Sequence, residues 1–143
     1  MPVDVPASET VRSTVAEVMV RYPKVLPIEA AVGQVRAVFE DDHVHMVLLT
    51  RGSFLCGTVI RGDVPDSATD AQKAICFAHL AGRTVPATVS TTVVLRSLVA
   101  RQERRLAVVD NDGLLLGLLC FKARETGFCS DADVTARAHE RAR

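Results

Sequence analysis

Phe54-Leu55-Cys56-Gly57-Thr58-Val59-Ile60 and, 60 residues later, Leu114-Leu115-Leu116-Gly117-Leu118-Leu119-Cys120 are the two segments whose likeness decides the fold. Each follows another short apolar run, Met46-Val47-Leu48-Leu49 in one case and Leu106-Ala107-Val108-Val109 in the other. Thr50-Arg51-Gly52-Ser53 joins the first pair of runs and Asp110-Asn111-Asp112-Gly113 the second. Apolar runs flanking turn residues predict a hairpin in each half, and Asp112-Gly113 supplies the positive φ of a tight connection. A match at this period means one supersecondary unit used twice.

Upstream of the hairpins, Val32, Val35, Val38 and Phe39 recur at helical spacing, as do Val94, Leu95, Leu98 and Val99, so a helix is expected before each. Ahead of each helix lies an extended piece, 24–28 and 84–88, where Pro27 and Pro86 disfavour helix at the preceding residue. Glu29 leads into the first helix, and Ser90-Thr91-Thr92 offers caps for the second. Thr14-Val15-Ala16-Glu17 has capping-box spacing and predicts a lead-in helix, with Thr14 accepting from the Glu17 backbone. Its counterpart is expected over 70–80, closed by Gly82. Ser130-Asp131-Ala132-Asp133 predicts a last helix whose C-terminal dipole suits the Arg-rich end at 137–143.

Copies of about 60 residues, each with one face of a small sheet to cover, need a shared interface to be stable. The expected fold is therefore α+β, two pseudo-symmetric units, each a small three-stranded sheet packed against helices. The expected boundaries are an N-terminal segment at 1–13, a first copy at 14–69, a second at 70–130, and a C-terminal helix or tail at 131–143.

Lys plus Arg and Asp plus Glu number 17 each, so no net field draws the chain to nucleic acid or an anionic membrane. No run approaches a membrane span, and Met1-Pro2-Val3-Asp4 lacks the regions of a signal peptide, so a cytoplasmic protein is expected. Cys56, Cys76, Cys120 and Cys129 form no Cys-x-x-Cys pair and are expected as reduced, mainly structural thiols. Asp41, His43 and His45 provide too few ligands for a metal site, and no nucleophile has a base held beside it. Glycine-rich phosphate loops are absent as well. Arg101, Arg104 and Arg105 cluster before the second hairpin as a solvated helix end, with Arg105 placed to reach a ligand phosphate.

The repeated unit resembles the cystathionine β-synthase (CBS) domain, and the tandem copies resemble the pair called a Bateman module, over about residues 14–130. The resemblance rests on Thr14-Val15-Ala16-Glu17-Val18-Met19, similar to the family's lead-in helix ending in Met, and on the hairpin ends. The family often closes its last strand with Gly-x-x-Thr-x-x-Asp. Here the first copy reads Gly57-Thr58-Val59-Ile60-Arg61-Gly62-Asp63, with Ile60 at the threonine position. The resemblance implies that Asp63 accepts from the ribose hydroxyls of an adenosine compound, with Ile60 and Arg61 beside it. It also implies adenine against Val25, Leu26, Pro27, His45 and Met46, although core packing is the favoured role for Val25 and Met46 individually. His45, when protonated, is placed to meet a phosphate, although a surface or capping role is at least as physical. In the second copy Cys120 and Ala123 replace both polar positions, so that site is expected to be empty or altered, or an apolar pocket shaped by Cys120 and Phe121.

The resemblance further implies a regulatory module rather than an enzyme, with no required cofactor and with AMP, ADP, ATP or S-adenosylmethionine as the ligand. A homodimer is expected through an exposed apolar face at Val15, Val18, Met19 and Ala78 or Leu80, signalling to a separate effector protein. The alternative is a structural or protein-interaction dimer with degenerate nucleotide sites, the reading that Ile60, Cys120 and Ala123 favour.

Overall fold

Both hairpins form, and each is extended by a parallel strand into a three-stranded sheet. The computed structural model describes residues 14–121. Their elements are α1 (Val15–Val18), β1 (Val25–Pro27), α2 (Val32–Val38), β2 (Met46–Arg51), β3 (Phe54–Ile60), a 3-10 turn (Ala74–Phe77), β4 (Thr84–Pro86), α3 (Thr91–Arg101), β5 (Arg105–Val109) and β6 (Leu115–Cys120). The sheets have the orders β1-β2-β3 and β4-β5-β6. In each, the first strand is parallel to the second and the second antiparallel to the third. The same irregularity recurs in both hairpins, at Leu49/Thr50 and at Val108/Val109, so even the strand bulge belongs to the repeat.

Strand alternation sends side chains to two different cores. From the first sheet, Val47, Leu49 and Val59 pack with Ala30, Val35 and Ala74. From the second, Leu106, Val108 and Leu119 pack with Val15, Val85, Val94 and Leu98. The opposite faces meet each other, with Met46, Leu48 and Leu55 against Ala107, flanked by Val109, Leu115 and Leu118. Coverage on both faces is why the strands read as nearly unbroken apolar runs. The hairpin tips exchange backbone bonds across the pseudo-twofold axis, Leu55 donating to the Gly113 carbonyl (3.0 Å) and Leu115 to that of Ser53 (2.7 Å). Gly113 holds φ at 86°, and Asp110 Oδ1 accepts from both Asp112 N and Leu114 N at 2.9 Å, closing the tight turn.

The lead-in segments are exchanged between the copies. Val15, Val18 and Met19 pack on the second core, whereas Ala74, Ile75 and Ala78 pack on the first. Isolated backbone bridges repeat the exchange: Thr14 with Ser90 and Val20 with Leu118 on one side, Lys73 with Ala31 and His79 with Thr58 on the other. Each crossing runs over a glycine. A Cβ at Gly57 would stand 2.6 Å from Ala78 Cβ, and one at Gly117 would stand 2.6 Å from the Val20 carbonyl oxygen.

This exchange overturns two expectations. Residues 70–80 do not form a helix; only the 3-10 turn at Ala74–Phe77 is helical, because the backbone there is spent on bridging. Val32 and Gly33 donate to the carbonyls of Gln72 and Asp70, and Thr58 and His79 exchange two bonds of 2.9 Å. Nor is the face of Val15, Val18, Met19 and Ala78 fully exposed, since Val15 is buried and the others are partly buried against the two cores. Leu80 alone of that set is exposed.

The capping box at α1 forms by its reciprocal half. Glu17 Oε1 accepts from Thr14 N at 2.8 Å, while Glu17 N bonds the Thr14 carbonyl at 3.0 Å rather than the hydroxyl. Ser90 caps α3, accepting from Thr92 N at 3.2 Å. Cys120 departs from the reduced state expected of it: it is disulfide-bonded, whereas Cys56 and Cys76 are free. Disulfide pairing depends on proximity in space, which sequence spacing does not reveal. The helix expected from Ser130, like Lys122, Ala123 and Cys129, lies outside the described residues. No helix among the described residues is long and apolar enough to cross a membrane.

Candidate ligand-binding site

Where the open ends of the two hairpins meet, they leave a cleft of about 260 Å³. That volume is near the lower end of the roughly 300–1,000 Å³ usual for small-molecule sites. The first copy contributes His45 and Met46 at the start of β2 and Ile60, Arg61 and Gly62 at the end of β3. The second contributes Arg83 ahead of β4, Gln102, Glu103 and Arg104 between α3 and β5, and Arg105 at the start of β5. Met46 and Arg105 are repeat equivalents, paired with Ile60 and Cys120 respectively, so the cleft lies on the pseudo-twofold axis and takes one wall from each copy.

Local structure explains how these side chains arrive there. Helix α3 ends at Gln102, which takes a left-handed φ of 57° and whose N–H bonds the carbonyls of Leu98 and Val99. That stop turns the next three residues back toward the first sheet. Arg61 lines the cleft and also holds the loop after α2. Its NH1 donates to the Phe39 carbonyl (2.8 Å), its NH2 to those of Asp41 (2.8 Å) and Val44 (2.7 Å), and its guanidinium lies 4.9 Å from the Phe39 ring centre. Beside its expected place at the site, Arg61 therefore fixes the approach to β2.

Asp63 is held just as firmly. Its N–H donates to the Ile60 carbonyl at 3.0 Å, and its Oδ2 accepts from Ile60 N at 2.8 Å. Arg83, from the other copy, grips both carboxylate oxygens, NH1 on Oδ2 and NH2 on Oδ1 (2.9 Å), while NH1 also points at the Thr58 carbonyl at 3.4 Å. The two side chains are only 9% and 15% exposed. Burial opposes ionisation of Asp63, but the Arg83 hydrogen bond, the Ile60 N–H and the Arg83 charge outweigh it and hold the carboxyl below its usual range.

Electrostatics gives the cleft its character. Four arginines and one glutamate line it, and Asp63 stands behind Arg83. Glu103 is paired with Arg101 at 2.8 Å. His45 registers the remaining positive excess: burial, then Arg105, Arg104, Arg61 and His43, lower its pKa from 6.5 to about 4. His45 is therefore neutral at pH 7 in the ligand-free protein. Unprotonated imidazole among guanidinium groups offers a hydrogen bond, while the arginines supply the charge for an anion.

The cleft thus unites His45, Met46, Ile60, Arg61 and Arg105 of the residues expected at a site. It does not include Val25, Leu26 and Pro27. These form β1, where Val25 pairs with Leu48 beyond the start of β2, Val25 is exposed and Leu26 packs on the first core. Asp63 lies behind the wall. Sequence reasoning missed Arg83, which belongs to no motif and has Lys24 as its repeat equivalent, and it read Arg104 as solvated.

Two three-stranded sheets, an axial interface and exchanged lead-ins are the architecture of a tandem CBS domain pair, and the chain has that fold. The CBS-pair domain of a Shewanella oneidensis protein superposes with a TM-score of 0.67 at 18% identity, covering 92% of this chain and 73% of that one. A CBS domain protein from Pyrobaculum aerophilum, complexed with AMP, gives 0.65 at 22% identity over 88% of this chain and 98% of that one. The CBS domain of a bacterial CNNM/CorC family Mg2+ transporter, in complex with ATP, gives 0.61 at 20% identity over 80% and 85%. No protein-family model matches the sequence. No curated protein matches it either.

Proposed function

We propose that this chain is a regulatory CBS-pair module that binds a phosphate-bearing adenosine nucleotide in the axial cleft. The observation that carries the proposal is the convergence of Arg83, Arg104 and Arg105 on a neutral His45 in a cleft walled by both copies. Such a site favours AMP, ADP or ATP over S-adenosylmethionine, whose sulfonium adds positive charge where arginines already repel one another. Solved structures of the same fold in complex with AMP and with ATP support the ligand class.

A ligand bridging the walls changes the relative free energy of arrangements that hold those walls differently, which is the physical basis for regulation without catalysis. The module is proposed to act in the cytoplasm as a homodimer with a separate effector protein. Exposed Val93 (58%) and Val99 (55%) on α3 supply apolar surface for pairing in place of the partly buried lead-in face. The competing role, a protein-interaction dimer with degenerate nucleotide sites, draws support from the engaged carboxylate of Asp63 and the exclusion of Val25, Leu26 and Pro27 from the cleft.

Calorimetric titration with AMP, ADP, ATP and S-adenosylmethionine tests the proposal. It expects saturable binding of the phosphate-bearing ligands that Arg104→Ala weakens by about tenfold, the worth of a charge-assisted hydrogen bond. Absence of heat and of any ligand-induced melting shift would refute it in favour of the interaction role.

A further inference from the structure

Resting on the proposed nucleotide site, we infer that Asp63 acts on the ligand through Arg83. It is a positioning residue that presents the Arg83 guanidinium to the ligand's phosphate, and it makes no contact with the ribose. An ionised carboxylate has about four lone-pair positions. Three are taken in Asp63: Oδ2 accepts from Ile60 N and Arg83 NH1, and Oδ1 from Arg83 NH2. A ribose diol presents two hydroxyl donors, and a single acceptor position remains, on Oδ1. His79 Nε2 already stands 3.9 Å from that oxygen.

Arg83 has the opposite balance. Of its five N–H donors, two go to Asp63 and one points at the Thr58 carbonyl, which leaves two. Arg83 also lines the cleft, and Asp63 does not. A fork-to-fork pair fixes the plane of the guanidinium as well as its place, which is what a planar phosphate donor requires. Because Asp63 is itself pinned by the turn at Ile60, the aim of Arg83 is set by the first copy although the residue belongs to the second.

The test is a cycle of protein and ligand changes. AMP and 2′,3′-dideoxy-AMP are titrated into wild type, Asp63→Asn, Arg83→Lys and the double variant, with melting curves to verify folding. Indirect action predicts that Asp63→Asn weakens both nucleotides by the same factor, about tenfold. Arg83→Lys, which keeps the charge but loses the fork, should do likewise, and the double variant should be little worse than either single one. Should Asp63→Asn penalise AMP while sparing the dideoxy analogue, Asp63 binds the ribose and the inference is wrong. Unchanged AMP affinity in Asp63→Asn overturns it equally. If wild type binds neither nucleotide, the proposed function falls and takes the inference with it, whereas wild-type binding confines any failure to the role of Asp63.

Discussion

Gly117→Ala is the sharpest test of how the two copies interlock. The added methyl would lie 2.6 Å from the Val20 carbonyl oxygen, 2.8 Å from Met19 Sδ and 3.0 Å from Met19 Cγ. Met19 can swing aside. Val20 cannot, because its carbonyl accepts from Leu118 N at 2.9 Å and its N–H donates to the Leu118 carbonyl at 2.7 Å. Relieving the clash means lifting the lead-in off β6, with overpacking worth about 1–3 kcal/mol and a strained hydrogen bond about 1 kcal/mol more. A loss of about 2–4 kcal/mol is therefore expected. With a urea slope of about 1–3 kcal/mol/M, the midpoint should fall by about 1 M or more. Gly62→Ala is the control, since a Cβ there meets nothing within 4 Å, and its midpoint should match wild type. If Gly117→Ala unfolds with the wild-type midpoint, the lead-in does not cross β6 and the exchange is wrong.

Two further outcomes follow from the cleft and its walls. His45 stays neutral in the folded protein down to about pH 4 but takes up a proton near 6.5 when unfolded, so folding loses stability as pH falls through that window. Denaturation midpoints measured from pH 7 to 4 should show this loss, and His45→Gln should flatten it. The Asp63 contribution has its own window: it is present above the ordinary carboxylate range and lost only as pH falls through the depressed folded pKa. An NMR titration should accordingly place His45 near 4 in the free protein and higher with AMP bound, and an unshifted value near 6.5 would contradict the crowding of cations. Arg61→Lys keeps the charge but cannot reach the carbonyls of Phe39, Asp41 and Val44 together, so it should cost about 1–2 kcal/mol. Faster amide exchange at Val44, whose N–H bonds the Asp41 carbonyl, would report the freed loop.

The parts of this fold that were legible in the sequence are those governed by local rules. Apolar runs around Gly52 and Gly113 set the hairpins, Pro27 and Pro86 marked the extended pieces, and the spacing of Val32, Val35 and Val38 set α2. Periodicity could not say which sheet an element would cover. The apolar residues of 14–20 and 74–78 look like free amphipathic faces because their partners lie in the opposite copy, 60 or more residues away for Ser90 and Leu118. The same long-range bridging kept 70–80 from becoming the helix its composition suggests.

The site was only half legible for a related reason. The Gly57 to Asp63 segment pointed to the edge of the candidate cleft, yet its carboxylate and its arginine both turn to protein partners. The cations that face the cleft come from Arg83, Arg104 and Arg105, on the other copy, and no motif links them to Asp63. Reading each copy for its own site led to one candidate per repeat. The pseudo-twofold axis instead places His45 and Arg104, equivalent in the repeat but different in charge, on facing walls of one cleft. On the proposed reading, a ligand there would meet two unlike half-sites that fix its orientation. Because Asp63 and Arg83 join the same two walls behind it, any ligand pull on Arg83 is transmitted to the turn that ends β3.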